Sequence, residues 1–145
     1  MSEQNKALAK RWFEEVWNQG RESSIDELFH PQGKVYGFPE PDSVLIGPDG
    51  FKTVHRVFHS AFGNIHIAID DLIAEEDDDL IAEEDKVAIR WTCTMVHNGE
   101  GLGFPATGKN VAFPGSSFIH CREGQIIDGW NFMDLTKMTQ QLQRS

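Results

Sequence analysis

The chain has 145 residues, 39% of them hydrophobic, with ten Phe and four Trp. That is enough for one real core and too aromatic for a disordered chain. The formal net charge is −10, nothing in the chain resembles the basic stripe of a nucleic-acid binder, and no stretch approaches the roughly 18 consecutive apolar residues of a membrane span.

Leu8, Trp12 and Val16 recur every four residues, flanked by Ala9, Phe13 and Trp17, which predicts a helix from about Glu3 to Gln19. Asn18-Gln19-Gly20 supplies its stop. Ser24-Ile25-Asp26-Glu27 reads as a capping box, so a short second helix is expected to run to about Phe29, where Pro31 ends it. Residues 37–48 read as a loop. Pro48 and Asp49 suit the first turn of a third helix, with Phe51, Val54, Phe58, Ala61 and Phe62 on one stripe.

From Ile65 the period becomes alternating. Ile65, Ile67 and Ile69 mark one face of a strand. A longer strand, Lys86 to His97, carries Val87, Ile89, Trp91, Cys93 and Met95 on one side. After a glycine-rich stretch, 98–108, a third strand spans Val111 to Cys121, with a bend expected at Pro114-Gly115. Glu123-Gly124 turns into a fourth strand, Gln125 to Phe132, and Asp134 can cap a last helix. Helices followed by a meander of antiparallel strands define an α+β class, expected as one domain over 1–145.

Residues 70–77 and 78–85 both read DDLIAEED and together hold ten of the 23 acids, leaving thirteen acids against thirteen Lys and Arg elsewhere. The acidity is one local segment. An even-numbered duplication preserves side-chain alternation, so either copy could pair with the strand starting at Lys86. The segment lacks the glycine and alternating oxygens of a calcium loop, and a solvated hairpin is the expectation.

His55 and His59 share a helix face, but the Glu of a zinc-protease motif is missing and they read as partly exposed helix residues. Phosphate-loop and nucleophile-elbow motifs are lacking. The C-terminal hairpin is richer. Ser117 and Asn131 point toward the core and need partners or a ligand. His120 faces the other side of its strand, and Asp128 could pair with Arg90 or Arg122. Cys93 and Cys121 need not pair, and no basic start followed by an apolar run opens the chain. A reducing, cytoplasmic setting is therefore expected.

The chain resembles the SnoaL-like polyketide cyclases of the nuclear transport factor 2-like superfamily. The resemblance is carried by Trp17-Asn18-Gln19-Gly20, His30-Pro31, Gly47-Pro48-Asp49-Gly50-Phe51 and Asp85 through Trp91. Its strongest part runs from Pro105-Ala106-Thr107-Gly108-Lys109 to Glu123 through Trp130. It implies a cone, a curved antiparallel sheet wrapped on N-terminal helices around an apolar pocket, and association as a homodimer through the sheet. It also implies aldol cyclisation of a small apolar carbonyl compound without metal or cofactor, driven by an Asp with a His beside it. Here those positions fall on Asn131 and Ser117, which cannot act as bases at neutral pH. His97, His30 and Asp134 are the alternative bases, at the pocket mouth. Trp12, Phe38, Phe58, Trp91 and Phe104 are expected to line the pocket. The alternatives are a non-catalytic small-molecule binder and an interaction domain using exposed Trp130 and Trp91. No membrane or nucleic-acid partner is expected.

Overall fold

The computed structural model describes residues 2–75, 85–103, 105–133 and 135–143. The first helical run divides in two. An α-helix, α1 (Ser2–Arg11), passes directly into a π-helical stretch, Trp12–Asn18. There the Glu14 carbonyl accepts from the Gln19 N–H at 2.9 Å and the Glu15 carbonyl from the Arg21 N–H at 2.9 Å. The wider turn brings residues five apart toward one face, so Trp12 and Trp17 are buried together with Phe13 and Val16.

Helix α2 (Glu22–Leu28) starts before the expected capping box. Ser24 is not its cap. It lies inside the helix, fully buried, and its hydroxyl donates to Glu15 Oε1 at 2.7 Å. The Arg11 guanidinium reaches the same carboxylate at 2.6 Å, and Arg11 and Ser24 together hold Glu15 down to about 2.

Phe29 was expected to end a helix, yet it begins a strand, β1 (Phe29–Tyr36). Pro31 is tolerated there because the register of β1 slips between Phe29 and Lys34, where no ladder hydrogen bond is required of it. A short strand, β2 (Val44–Ile46), pairs with β1 inside the region read as loop. Helix α3 (Gly47–Ala61) follows with Pro48 in its first turn, burying Phe51, His55, Phe58 and Ala61. Among the described residues, no helix is long and apolar enough to cross a membrane.

Four further strands, β3 (Phe62–Glu75), β4 (Asp85–His97), β5 (Asn110–Arg122) and β6 (Gln125–Met133), complete a sheet of order β2-β1-β6-β5-β4-β3. All pairings are antiparallel except β1 with β6. Alternation along β4 holds as the sequence predicts: Val87, Ile89, Trp91, Cys93 and Met95 are each at most 4% exposed. Trp91 is thus a core residue and not an exposed one.

Residues 71–75 of the first repeat copy pair with β4. Asp71 through Glu75 face Arg90 through Lys86, and a register shift sets off Asp70, which accepts a hydrogen bond from Thr92 Oγ1 at 2.6 Å. The rest of the repeat, 76–84, lies outside the described residues. On the same strand the Asn18 side chain behaves as a strand partner: its Oδ1 accepts from the Ile67 N–H at 2.6 Å and its Nδ2 donates to the Ile67 carbonyl at 3.2 Å. The N-terminal helical run is thereby fastened to the sheet edge.

The last helix, α4 (Leu135–Gln143), closes a gap of the same kind. Strand β6 pairs with β5 only from Gly115 onward. Upstream, the Gln141 amide takes both backbone groups of Ala112, accepting at 2.9 Å and donating at 2.7 Å. Lys109 Nζ donates to the Leu142 carbonyl at 2.9 Å, which satisfies one orphan carbonyl of the helix end.

Strand β5 pairs with β4 in unbroken register through Pro114 and Gly115, and the glycine there has a packing reason. A Cβ at Gly115 would collide with Cη2 and Cζ2 of the Trp91 indole, whereas one at Gly129 would rest 3.7 Å from Ile119 Cγ2, an ordinary contact. Gly115→Ala is therefore expected to lower unfolding stability by about 1–3 kcal/mol through overpacking, and Gly129→Ala to change it by less than about 1 kcal/mol. Urea midpoints check both, and equal effects of the two would contradict the account.

Candidate functional site

The helices and the inner sheet face line a pocket, partly open to solvent, with a cavity volume of about 70 Å³. Its walls are aromatic. Trp12, Phe13 and Trp17 come from the π-helical stretch, Phe51 and Phe58 from α3, and Trp91 and Phe113 from the sheet, with Phe38 between β1 and β2. The rings pack against one another mostly edge to face, as in Trp12–Phe51 at 5.0 Å, Trp17–Phe38 at 5.6 Å and Trp91–Phe113 at 6.0 Å.

One polar relay crosses this apolar space. Trp91 on β4, Ser117 on β5 and Asn131 on β6 all point inward, and Ser117 stands directly opposite Asn131 in the β5–β6 register. The Trp91 indole N–H donates to Ser117 Oγ at 3.0 Å. Ser117 Oγ–H in turn donates to Asn131 Oδ1 at 2.7 Å, and Asn131 Nδ2 donates to the Tyr36 carbonyl at 3.4 Å. Each buried polar group thus satisfies the next. The direction of the chain also orients the Asn131 amide, because its oxygen must face the serine hydroxyl.

Among the described residues of the lining, Cys93 is the titratable one, and burial pushes its thiol up to about 12. It is un-ionised at neutral pH and inert as a nucleophile. Trp12, Phe38, Phe58, Trp91, Ser117 and Asn131 therefore meet around one cavity. His97 does not join them. It is fully buried elsewhere, packed on Phe62 at 5.4 Å, with Nδ1 accepting from the Thr107 N–H at 3.1 Å and 3.0 Å from the Thr107 hydroxyl. Nor is His30 in the lining: its Nδ1 accepts from the Gln32 N–H at 3.0 Å. Phe104 and Asp134 lie outside the described residues.

Trp17, Phe51, Cys93, Met95 and Phe113 also line the cavity and were not among the residues expected there. Cys93 and Met95 share the strand face of Trp91, and Phe51 the helix stripe of Phe58, so period alone could have found them. Trp17 could not be found that way, since its placement depends on the π-helical turn.

Behind Trp17 sit the two histidines of α3. His55 is 2% exposed, in contrast to the partial exposure expected of it, and its Nε2 donates to the Val16 carbonyl at 2.6 Å. His59 stacks on the Trp17 indole at 5.9 Å, and the two imidazoles lie 4.4 Å apart. On the outer sheet face, Trp130 is half-buried, stacked on Tyr36 at 4.9 Å and tilted against His120 at 5.0 Å. Asp128 lies 3.9 Å from His120 Nδ1.

A six-stranded sheet packed on N-terminal helices, with an aromatic-lined pocket between them, defines an α+β protein of the SnoaL-like class. The profile of the SnoaL-like polyketide cyclase family matches residues 7–142, and the chain belongs to that family. Solved structures agree on the fold. A protein from Jannaschia sp. CCS1, assigned as a SnoaL-like polyketide cyclase, superposes with a TM-score of 0.81 at 19% identity, covering 99% of this chain and 94% of its own. AclR from Streptomyces galilaeus, assigned as a hydroxylase, gives 0.80 at 22% identity over 98% and 82%. A ketosteroid isomerase-like fold from Catenulispora acidiphila, in complex with trimethylamine, gives 0.70 at 15% over 92% and 90%. No curated protein sequence matches the chain.

The histidine pair sets a pH dependence. Burial, with neighbouring His55 second, lowers His59 from 6.5 to about 4, and burial lowers His55 as well. The unfolded chain then binds more protons than the folded one between those values, so stability falls as pH drops from 6.5 toward 4. The Glu15 window, from 4.5 down to about 2, lies lower. Between pH 7.5 and pH 5 the chain is expected to lose about 1–2 kcal/mol through His59. Urea unfolding of His59→Gln checks this: the variant should lose less over the same interval, and an identical loss would refute the assignment.

Proposed function

We propose that the cone holds a small, neutral, apolar molecule bearing a carbonyl group, and that Asn131 recognises that group. The observation behind this reading is the oriented amide. Asn131 Oδ1 is occupied by the Ser117 hydroxyl, and Nδ2 has two hydrogens of which the Tyr36 carbonyl takes one. The second is the donor left for a ligand oxygen in an otherwise apolar site.

Ring closure by an aldol step needs a base within reach of a proton alpha to a carbonyl. Asn, Ser and an un-ionised thiol do not supply one. The chemistry supported by the described lining is therefore hydrogen-bond polarisation of a bound carbonyl, and the leading account is ligand binding. A catalytic reading rests on Asp134, because it directly follows Met133, which lines the cavity. Prolonged incubation with a bound ketone separates the two. Recovery of the unchanged compound supports binding. Conversion that is lost in Asp134→Asn would make the chain an enzyme.

Asn131→Leu is expected to weaken binding of butanone by roughly tenfold, the worth of one buried hydrogen bond, while leaving 2-methylbutane, which has no oxygen, bound as before. Equal loss of both compounds would mean that the residue only supports the wall.

A second copy of this chain is proposed as the partner of the outer sheet face. Phe118 and Phe132, on the adjacent strands β5 and β6, are 49% and 59% exposed and meet edge to face at 5.9 Å. Two large exposed rings beside Trp130 form an apolar patch that self-association would cover. Sedimentation at micromolar concentration should find a dimer, and Phe132→Ser should shift it toward monomer. A monomeric parent chain would rule the pairing out. Cys93 and Cys121 are both buried, and a reducing, cytoplasmic compartment is proposed for the chain.

A further inference from the structure

The outer sheet face is ordered in rows. The cross-strand registers set Tyr36, Trp130, Phe118, Ala88 and Ile73 side by side across β1, β6, β5, β4 and β3. This row is apolar from end to end, and Phe118 and Ile73 are 49% and 61% exposed. One step along the strands lies a charged row, Lys34, Asp128, His120 and Lys86. On the other side lie Phe132, Ser116, Arg90 and Asp71.

Two identical faces that close on each other are related by a two-fold axis, so each residue meets its image across that axis. Packed sheets keep their strand directions within about 30° of each other, which leaves axes running across the strands or along them. An axis across the strands turns one row onto another. Centred on the apolar row, it sets Lys86 against Arg90. Displaced to either side, it sets part of the apolar row against charges. Axes along the strands differ by the strand they follow. One along β6 sets Asp128 against itself, and one along β4 does the same to Lys86 and Arg90. One midway between β6 and β5 sets Lys34 against Lys86, and one midway between β5 and β4 sets the exposed Phe132 against Asp71. Like charges so placed repel.

An axis along β5 avoids every one of these conflicts. Asp128 stands one strand to one side of β5 and Lys86 one strand to the other, so each falls on the other in the second copy. By the same rotation the bulky Trp130 falls on Ala88, and the ring of Phe132 on the Arg90 guanidinium, a cation against an aromatic face. Phe118 meets its own counterpart. All four positions that change strand lie about 4.8 Å from β5. A crossing angle of about 30° therefore slides them past their partners by only about 2–3 Å.

We infer, resting on the reading of the outer face as a self-association surface, that two copies pair about a two-fold axis along β5. Asp128 of each copy then faces Lys86 of the other.

Charge exchange on the full chain tests this. Asp128→Lys makes both contacts of the pair lysine against lysine, and Lys86→Asp makes both aspartate against aspartate. Each variant alone, shown to be folded by near-ultraviolet circular dichroism, should dissociate at least tenfold more readily than the unaltered chain in sedimentation. In an equimolar mixture every such contact is again opposite in charge. The dimer should return there as the mixed species, identified by native mass spectrometry. Ser116, on β5 itself, gives a second measurement that removes no charge. Ser116→Cys should be joined to its counterpart by a short bismaleimide, since facing sheets lie about 10 Å apart and the buried Cys93 and Cys121 do not compete. The axis is overturned if the single variants stay as dimeric as the unaltered chain or if their mixture stays monomeric. It is also overturned if Ser116→Cys remains dimeric yet is not joined. In those cases the self-association of the face still stands or falls with Phe132→Ser. If the unaltered chain is monomeric, the axis and the self-association fall together.

Discussion

A buried indole N–H must find an acceptor, and the arrangement of the cone follows from how Trp91 meets that demand. Its ring lies against Gly115, where any side chain would intrude, and its N–H reaches Ser117 on the same neighbouring strand. Ser117 passes the requirement to Asn131 across the β5–β6 register, and Asn131 passes it to the Tyr36 carbonyl on β1. Four strands are thus tied through one line of hydrogen bonds inside an apolar space. Because an unsatisfied member would cost about 1–3 kcal/mol, this line also fixes side-chain orientation. The same bonds that stabilise the sheet leave one directed amide N–H at the cavity.

The helical layer meets a different constraint, which is to present three large rings from one short segment. A regular α-helix spreads Trp12, Phe13 and Trp17 around its surface. The π-helical turn gathers them, and the Val16 carbonyl within it takes a hydrogen bond from His55. The histidines in turn support Trp17 from behind. Their neutrality at ordinary pH is a consequence of that burial, and it links acid stability to the wall of the cavity.

Much of this was legible in the sequence. Parity along β4 and β5 put Trp91 and Ser117 inside and His120 outside, because a period of two leaves little freedom once one face is buried. The stripe of α3 was legible for the same reason. Strands β1 and β2 were not, since His30-Pro31 and the Gly/Pro-rich stretch after Tyr36 carry turn chemistry that tertiary pairing overrides. The parallel alignment of β1 with β6 is a long-range pairing with no local signature. Ser24 shows the limit of local motifs. Its spacing to Glu27 is that of a cap, yet its hydroxyl serves a carboxylate on another helical segment. The pairing of Ser117 with Asn131 could be read from alternation, but the relay through the Trp91 indole depended on ring orientation, which only packing decides.

The central claim, drawn from the described residues, is that the chemistry of the cone is neutral, carried by an amide and a hydroxyl and by no side chain charged at neutral pH. The most direct test is the affinity for butanone measured across pH 6.5 to 9, above the window in which the histidine pair affects folding. The account predicts a flat profile. An inflection within that range would mean that a titrating group takes part in the site, and would contradict it.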